Sequence, residues 1–338
     1  MKKYLLGVDG GNTKTDYLLF DFDGNFIDGI RLGTCSHEAL KDSFDGTYRE
    51  MKAAIIKLLN QNNLKITDIF ASVFGLAGCD VPSQKIKLEE IVRKIGFANF
   101  VVNNDGFLGI KAASHTGSGV CSINGTGTVT VGIDEDGSYV QVGGVGYISG
   151  DEAGGAFLAR RVLQAVYDEG FRMGKKTSLT PKVYKILGIT NKEDYLSTLI
   201  NFIEQKKLDR TALIKLLFNQ GNLNDEVSLK ILSKAGENMG LSVAGCINNL
   251  NFKDFIIIVL AGSVWANATC DAMFNAFKDV VEKNSFKKCE YSVLIAPPAA
   301  GAILWAYELA HRTLPKIEIR NKVLKQVESY QHRLKSLD

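Results

Sequence analysis

Hydrophobic and polar positions fall into short, regular blocks along the first third of the chain, and the blocks predict an order of elements. YLLGVD (4–9) reads as a strand, GGNTKT as a loop and DYLLFD (16–21) as a second strand. Asp23-Gly24 is a hairpin signal, and FIDGIRL (26–32) follows as a third strand. From about His37 to Asn60 the period changes. Leu40, Met51, Ile55, Leu58 and Leu59 fall near one helical face. FASVFGLAG (70–78) then reads as an apolar strand ending on small residues, Ser83 to Ile95 as a helix, and NFVVNND (99–105) as another strand.

The series then recurs. GVCSIN (119–124) is a strand, GTGT a loop, VTVGID (129–134) a strand, Asp136-Gly137 a turn and SYVQVGG (138–144) a strand. FGLAG (74–78) is echoed by VLAGS (259–263), and NFVVNNDG (99–106) by YSVLIAPPAAG (291–301). The chain therefore reads as two copies of a βββαβαβ unit, the second carrying a helical insertion over about 152–249. The expected architecture is α/β with mixed sheets, in two domains facing each other across a cleft into which both Gly/Thr loops point. The N-terminal domain is expected over 1–113 plus about 316–338, the C-terminal domain over 114–315. The charged, amphipathic stretch from Ile317 to Asp338 reads as a last helix packing back on the first domain.

Composition narrows the classes. A chain of 338 residues suggests about two domains. Forty basic against 37 acidic residues leave a net charge of +3, too balanced to argue for nucleic acid or an anionic membrane as partner. The six cysteines, at 35, 79, 121, 246, 270 and 289, contain no CxxC pair. The N-terminus MKKYLLGVDGG meets an acid at Asp9, unlike a signal peptide. The apolar run Phe255 to Cys270, free of charged residues, is too short and polar for a bilayer. These features predict a soluble, cytoplasmic protein with buried free thiols.

The loops carry the candidate chemistry. In Asp9 to Thr15, Gly10 and Gly11 let backbone N–H groups approach a ligand, while Asn12, Thr13 and Thr15 supply polar side chains. These are phosphate-gripping parts, and Asp9, at a strand end, is placed to hold Mg²⁺ through water. The alternative is a tight hairpin with a satisfied Asp. Gly125, Thr126 and Gly127 repeat the parts without the acid. A P-loop is excluded at Gly174-Lys175-Lys176-Thr177, because Lys176 replaces the Ser/Thr and Glu169 the first Gly. GGVGYISG (143–150) follows a hairpin and fits a dinucleotide fingerprint poorly.

VDGGNTKT (8–15), GTCSHE (33–38), FGLAGCD (74–80), NNDG (103–106), INGTGT (123–128), GGVGYISGDEAGGAF (143–157), KAGENMG (234–240) and LAGSVWAN (260–267) together resemble the BadF/BadG/BcrA/BcrD ATPase family over nearly the whole chain. Within it the chain is most similar to the N-acetylglucosamine and N-acetylmuramate kinase branch. The resemblance implies a ribonuclease-H-like, actin/hexokinase-type fold, ATP and Mg²⁺ as cofactors, a small amino sugar as substrate and a homodimer. It implies that Thr13 and Thr126 touch the ATP phosphates and that Ala212, Gly262, Ser263 and Asn267 lie near the adenosine. Ser36, His37, Thr128, Val129, Gly144, Val145, Gly146, Tyr147 and Asp151 match the sugar-contacting region, with the role of His37 left open. Asp105, in NNDG, matches the catalytic Asp of the family.

Asp105 also has a physical argument of its own. It follows the apolar strand NFVV, at the edge where open α/β sheets bind ligands. There a carboxylate can take the proton of an attacking hydroxyl during phosphoryl transfer. Its alternative is a helix N-cap, which is also open to Asp151-Glu152 ahead of a helix near Ala153. His115, His311 and His332 lie in no motif and read as surface or packing residues. The expected activity is ATP-dependent phosphorylation of the 6-hydroxyl of N-acetylglucosamine. Ser36 and Val145 stand where the relatives carry Asn and Trp, which extends the expectation to N-acetylmuramate and cell-wall sugar recycling. The competing reading is an ATPase activator of a dehydratase or reductase, whose iron–sulfur cluster would need converging thiolates.

Overall fold

A computed structural model describes residues 3–253 and 255–336. β1 (Tyr4–Gly10), β2 (Lys14–Asp21) and β3 (Phe26–Gly33) form an antiparallel meander. α1 (Ser43–Gln61) leads to β4 (Ile69–Leu76), α2 (Pro82–Ile95) to β5 (Phe100–Asn103), and α3 (Gly106–Ala113) leaves the sheet. β6 (Gly119–Asn124), β7 (Thr128–Ile133) and β8 (Tyr139–Gly143) repeat the meander. Five helices follow: α4 (Gly155–Phe171), α5 (Leu179–Leu187), α6 (Tyr195–Glu204), α7 (Arg210–Asn222) and α8 (Glu226–Asn248). β9 (Phe255–Ala261), α9 (Ser263–Ala266), α10 (Ala272–Asn284), β10 (Lys288–Val293), α11 (Pro298–His311) and α12 (Ile317–Lys335) complete the chain.

The first sheet runs β3-β2-β1-β4-β5 and the second β8-β7-β6-β9-β10. β4 and β5 run parallel to β1, as β9 and β10 do to β6, so the two sheets share one topology. This is the duplicated α/β fold expected from the repeat. The DG turns behave as the hairpins require, with Gly24 at φ 73° and Gly137 at φ 84°.

Each sheet is covered on both faces, which explains the apolar runs of its central strands. α1 and α2 cover one face of the first sheet, through Met51, Ile55, Leu58, Leu88 and Val92. The other face is covered by α11 and by α12, which contributes Val323, Val327 and Tyr330. α12 thus lies where a terminal helix returning to the first sheet was expected. The second sheet carries the helical insertion and α10 on one face, and Phe107 and Ile110 of α3 on the other. The two helices are therefore exchanged: α3 leaves the first half to cover the second sheet, and α11 leaves the second half to cover the first. Boundaries at 113/114 and 315/316 place each of these helices in the domain opposite the sheet it covers. The helices cross in direct contact at Gly301, where a Cβ would lie 2.0 Å from the Leu108 carbonyl oxygen.

One expected helix start is corrected. α1 begins at Ser43, not near His37, because Ser43 adopts φ 50° and the N–H groups of Ala39 and Leu40 turn back to the Ser36 carbonyl.

Candidate active site

Between the halves lies a cleft of about 470 Å³. Asp9, Asp105 and Gly262 line it, from the ends of β1, β5 and β9. Gln331 of α12 also reaches its wall, as does His332, which is exposed at the surface as expected.

In the first loop the Gly11 N–H donates to the Lys14 carbonyl (3.0 Å), and the Thr34 hydroxyl donates to the Gly11 carbonyl (2.8 Å). Asn12, Thr13 and Lys14 stand exposed at the tip. One expectation is corrected here. Thr15 is fully buried, and its hydroxyl accepts the Cys35 N–H (3.1 Å), so it faces the core. Gly10 is demanded by packing, since a Cβ would sit 2.8 Å from Leu76 Cδ2.

Asp9, Asp16 and Arg31 occupy one row across β1, β2 and β3. Arg31 grips Asp16 in a bidentate pair (2.7 and 2.8 Å), and the Gln331 amide of α12 adds a bond to Asp16 (3.3 Å). Asp9 has no such partner among the described residues. Burial, then the negative charges of Asp105 and Asp16, push its carboxyl up to about 8, against the weaker pull of Arg31 and Lys14. A shielded carboxylate with negative neighbours is the chemistry that suits a hard divalent cation. Among the described residues no cluster of three or more His, Cys, Asp or Glu could hold a metal. Such an ion would thus depend on one or two carboxylates, water and phosphate oxygens.

The second loop is closed by a bond from the Gly125 N–H to the Gly127 carbonyl (3.0 Å). A Cβ at Gly125 or Gly127 would meet open space, and Thr126 is exposed, so this turn is free to approach a ligand. Behind it the N-terminus of α4 is docked: Gly155 N–H donates to the Gly125 carbonyl (2.8 Å) and Ala156 N–H to the Thr126 carbonyl (3.1 Å). Gly262 meets this turn from the side, at φ 96°, where a Cβ would lie 2.4 Å from the Asn124 carbonyl oxygen. Ser263 and Asn267 follow on the exposed side of α9, their turn closed by an Asn267 amide bond to the Ser263 carbonyl (2.7 Å). Ala212 lies two residues before Ile214, whose Cδ1 sits beside Gly155 behind the loop, and its N–H is held by Asp209. Gly262→Ala is expected to cost about 1–3 kcal/mol through strain at that φ. It should lower the melting temperature; an unchanged melting curve would contradict the close approach.

At the turn after β5, Asp105 occupies the N-cap position of α3 but makes no side-chain cap bond. The capping is done by Asn104, whose Oδ1 accepts the Gly106 N–H (2.8 Å). The Asp105 carboxylate is thereby left for the cleft. Burial and the charge of Asp80 push it up to about 6, while the N–H groups of Asp105 and Gly106 pull it down. The N-cap reading of Asp151 is also corrected. α4 starts at Gly155, and Asp151 Oδ2 instead accepts from the Gly144 N–H (2.9 Å), the Gly146 N–H (2.7 Å) and the Ser149 hydroxyl (2.7 Å). It ties together a loop whose Gly143, Gly144, Gly146 and Gly150 all have positive φ. Val145 and Tyr147 project from this loop into solvent.

Thr128 and Val129 underlie that loop, with Val129 Cγ2 3.2 Å from where a Gly144 Cβ would lie. Ser36 is buried at the FGLAG turn, its hydroxyl donating to the Ala77 carbonyl (3.4 Å). His37 stacks on Phe44 (4.1 Å between rings), and burial lowers its pKa. The sequence reading missed Asp80, Asn104 and Gln141. Asp80 Oδ1 accepts from the Asn104 amide (2.9 Å) and the Gln141 amide (2.8 Å). The only local signal was that Asp80 and Asn104 lie inside two of the quoted motifs.

The profile of the BadF/BadG/BcrA/BcrD ATPase family matches residues 6–306. The chain is 25% identical to an N-acetylmuramic acid/N-acetylglucosamine kinase of Clostridium acetobutylicum, over 90% of this chain and 98% of that one. It is 24% identical to an N-acetyl-D-glucosamine kinase of Dictyostelium discoideum, over the same shares. A solved Chromobacterium violaceum structure, described as an N-acetylglucosamine kinase, superposes with a TM-score of 0.63. It is 22% identical, over 91% of this chain and 99% of that one.

Proposed function

We propose, from the premise that the chain belongs to the BadF/BadG/BcrA/BcrD ATPase family, that it is an ATP-dependent kinase of N-acetylated amino sugars. The observation that carries the reading is Asp105, relieved of capping by Asn104 and raised toward neutrality where it lines the cleft. A base poised near the working pH accepts a hydroxyl proton efficiently. The sugar would lie against the loop organised by Asp151, with Thr128, Val129, Gly144, Gly146, Ser36 and His37 around it. Its 6-hydroxyl would face Asp105. The loops at Thr13 and Thr126 would take the phosphates from the two halves, and Gly262, Ser263 and Asn267 would flank the nucleoside. Asp9, with Asp105 nearby, fits Mg²⁺ by its donor chemistry. When bound, the ion would supply charge neutralisation on the phosphates.

The measurement that tests this is ATP consumption against a panel of hexoses, hexosamines and N-acetylhexosamines. Turnover confined to unacetylated sugars, or indifferent to sugar, would overturn it. The similarity to the Clostridium acetobutylicum kinase, and a small, half-exposed side chain at Val145 on the sugar loop, support a substrate range that includes N-acetylmuramate, and with it recycling of cell-wall sugars in the cytoplasm. Val145→Trp is expected to suppress N-acetylmuramate turnover about tenfold or more relative to N-acetylglucosamine, by steric rejection of the lactyl group. Equal losses on both sugars would refute that pocket assignment.

The activator reading is less well supported. Burial pushes the Cys79 and Cys246 thiols up to about 12 and raises those of Cys35, Cys121 and Cys289. Such thiols favour packing over ligation.

A further inference from the structure

We infer that Asp80 is a positioning residue that clasps the catalytic turn to the sugar loop across the cleft, an assignment that rests on the kinase reading above. A single oxygen, Asp80 Oδ1, receives both the Asn104 amide from the first half and the Gln141 amide from the second. Asn104 is nearly fully buried, and its other amide atom holds the Gly106 N–H. Fixing the Asn104 amide therefore fixes the first turn of α3 and the peptide that carries Asp105. On the other side, Gln141 belongs to edge strand β8, which runs directly into Gly143 and Gly144. The space beside Gly144 is filled by this same pair, Gln141 Nε2 at 2.8 Å and Asp80 Oδ1 at 3.2 Å from an ideal Cβ.

The clasp has a second point. Tyr139 lies two residues before Gln141 and so on the same face of β8. Its hydroxyl takes the Lys85 ammonium of α2 (2.5 Å), which also lies 4.4 Å over its ring. Tyr139 and Gln141 thus grip the first half at alternate positions along one strand edge. Parting the halves to admit substrate must break both grips, while the Asp80–Asn104 bond lies within the first half and travels with it. Closure over the sugar would then deliver the Gln141 amide to Asp80 and set the catalytic turn in the same movement. None of these side chains need touch sugar or phosphate.

The test is steady-state kinetics of sugar phosphorylation in Asp80→Ala, Asp80→Asn, Gln141→Ala and the Asp80→Ala/Gln141→Ala double variant, with melting curves for each. Asp80→Ala should lose about 100-fold in kcat/KM for the sugar, the scale of a small misplacement of reacting groups, with the KM for ATP unchanged. Asp80→Asn keeps an oxygen that accepts both bonds and should stay within about fivefold of wild type, the cost of exchanging charged for neutral hydrogen bonds. The double variant should be no worse than Asp80→Ala, because both act through one contact. Additive losses, or a loss in Asp80→Asn equal to that in Asp80→Ala, would overturn the clasp. If Asp80→Ala fails to fold, Gln141→Ala decides: wild-type kcat/KM there would overturn it. An inactive wild type removes the kinase reading and the clasp together; an active wild type with indifferent variants removes only the clasp.

Discussion

Asp105→Asn is expected to fold as the wild type does and to turn over about 10²–10⁴ times more slowly, the usual contribution of a general base. The fold should not suffer, because the capping bond of α3 comes from Asn104 and not from Asp105. The amide also removes a carboxylate that burial and Asp80 disfavour. Sugar affinity should persist, since the amide still bonds a hydroxyl. In the wild type the proton leaves Asp105 at about pH 6. The base is ionised above that pH and protonated below it, so kcat/KM should fall as pH drops through about 6. The residual rate of Asp105→Asn should lack this limb. Near-wild-type turnover in the variant, or a limb at about pH 6 that survives the substitution, would remove Asp105 from the role; a limb near pH 8 from Asp9 belongs to both proteins.

Asp9→Asn should separate stability from activity in opposite directions. In the folded chain the Asp9 carboxyl is raised from an ordinary value of 3.8 to about 8. Between those two values the folded state holds a proton that the unfolded state has released. Stability therefore declines as pH rises through that window. Replacing Asp9 by the isosteric amide removes the decline, so the variant should melt higher than wild type at pH 7.5 and nearly equally at pH 4. Turnover should fall by about 10²-fold or more, the scale of losing one electrostatic group at the reacting centre. The sugar KM should move little, because Asp9 faces the phosphate end. Mg²⁺ with nucleotide should raise the melting temperature of the wild type more than that of the variant. A variant that melts lower than wild type at pH 7.5, or a sugar KM that shifts most, would refute this assignment.

The repeat was legible because its signals are local. Each meander announces itself through short apolar blocks and a DG turn, each later strand through a short apolar run. The helical insertion showed as a long interruption of that series. What escaped detection depended on distant partners. Thr15 looked like a phosphate ligand by its neighbours Thr13 and Lys14, but strand alternation turns it inward to Cys35. Asp151 resembled a cap because it precedes a helix, yet its loop of glycines folds back onto it first. Asp80 and Gln141 are 61 residues apart, in different halves, and no periodicity links them. Gln331 and His332 reach the cleft only because α12 returns from the far end of the chain.

The exchange of α3 and α11 has a bearing on how the chain acquires its shape during synthesis. When β5 has left the ribosome, all five strands of the first sheet exist, but the face meant for Ala299, Ala302, Ile303 and Ala306 is bare until nearly two hundred further residues have been translated. Meanwhile α3 has no sheet to cover. The nascent amino-terminal half must therefore wait, partly assembled and with apolar surface open to water, for the last part of the polypeptide. A fragment ending at Ala113 should accordingly be insoluble or dependent on a chaperone. The carboxy-terminal portion supplied in trans should rescue it better than any change within the fragment itself.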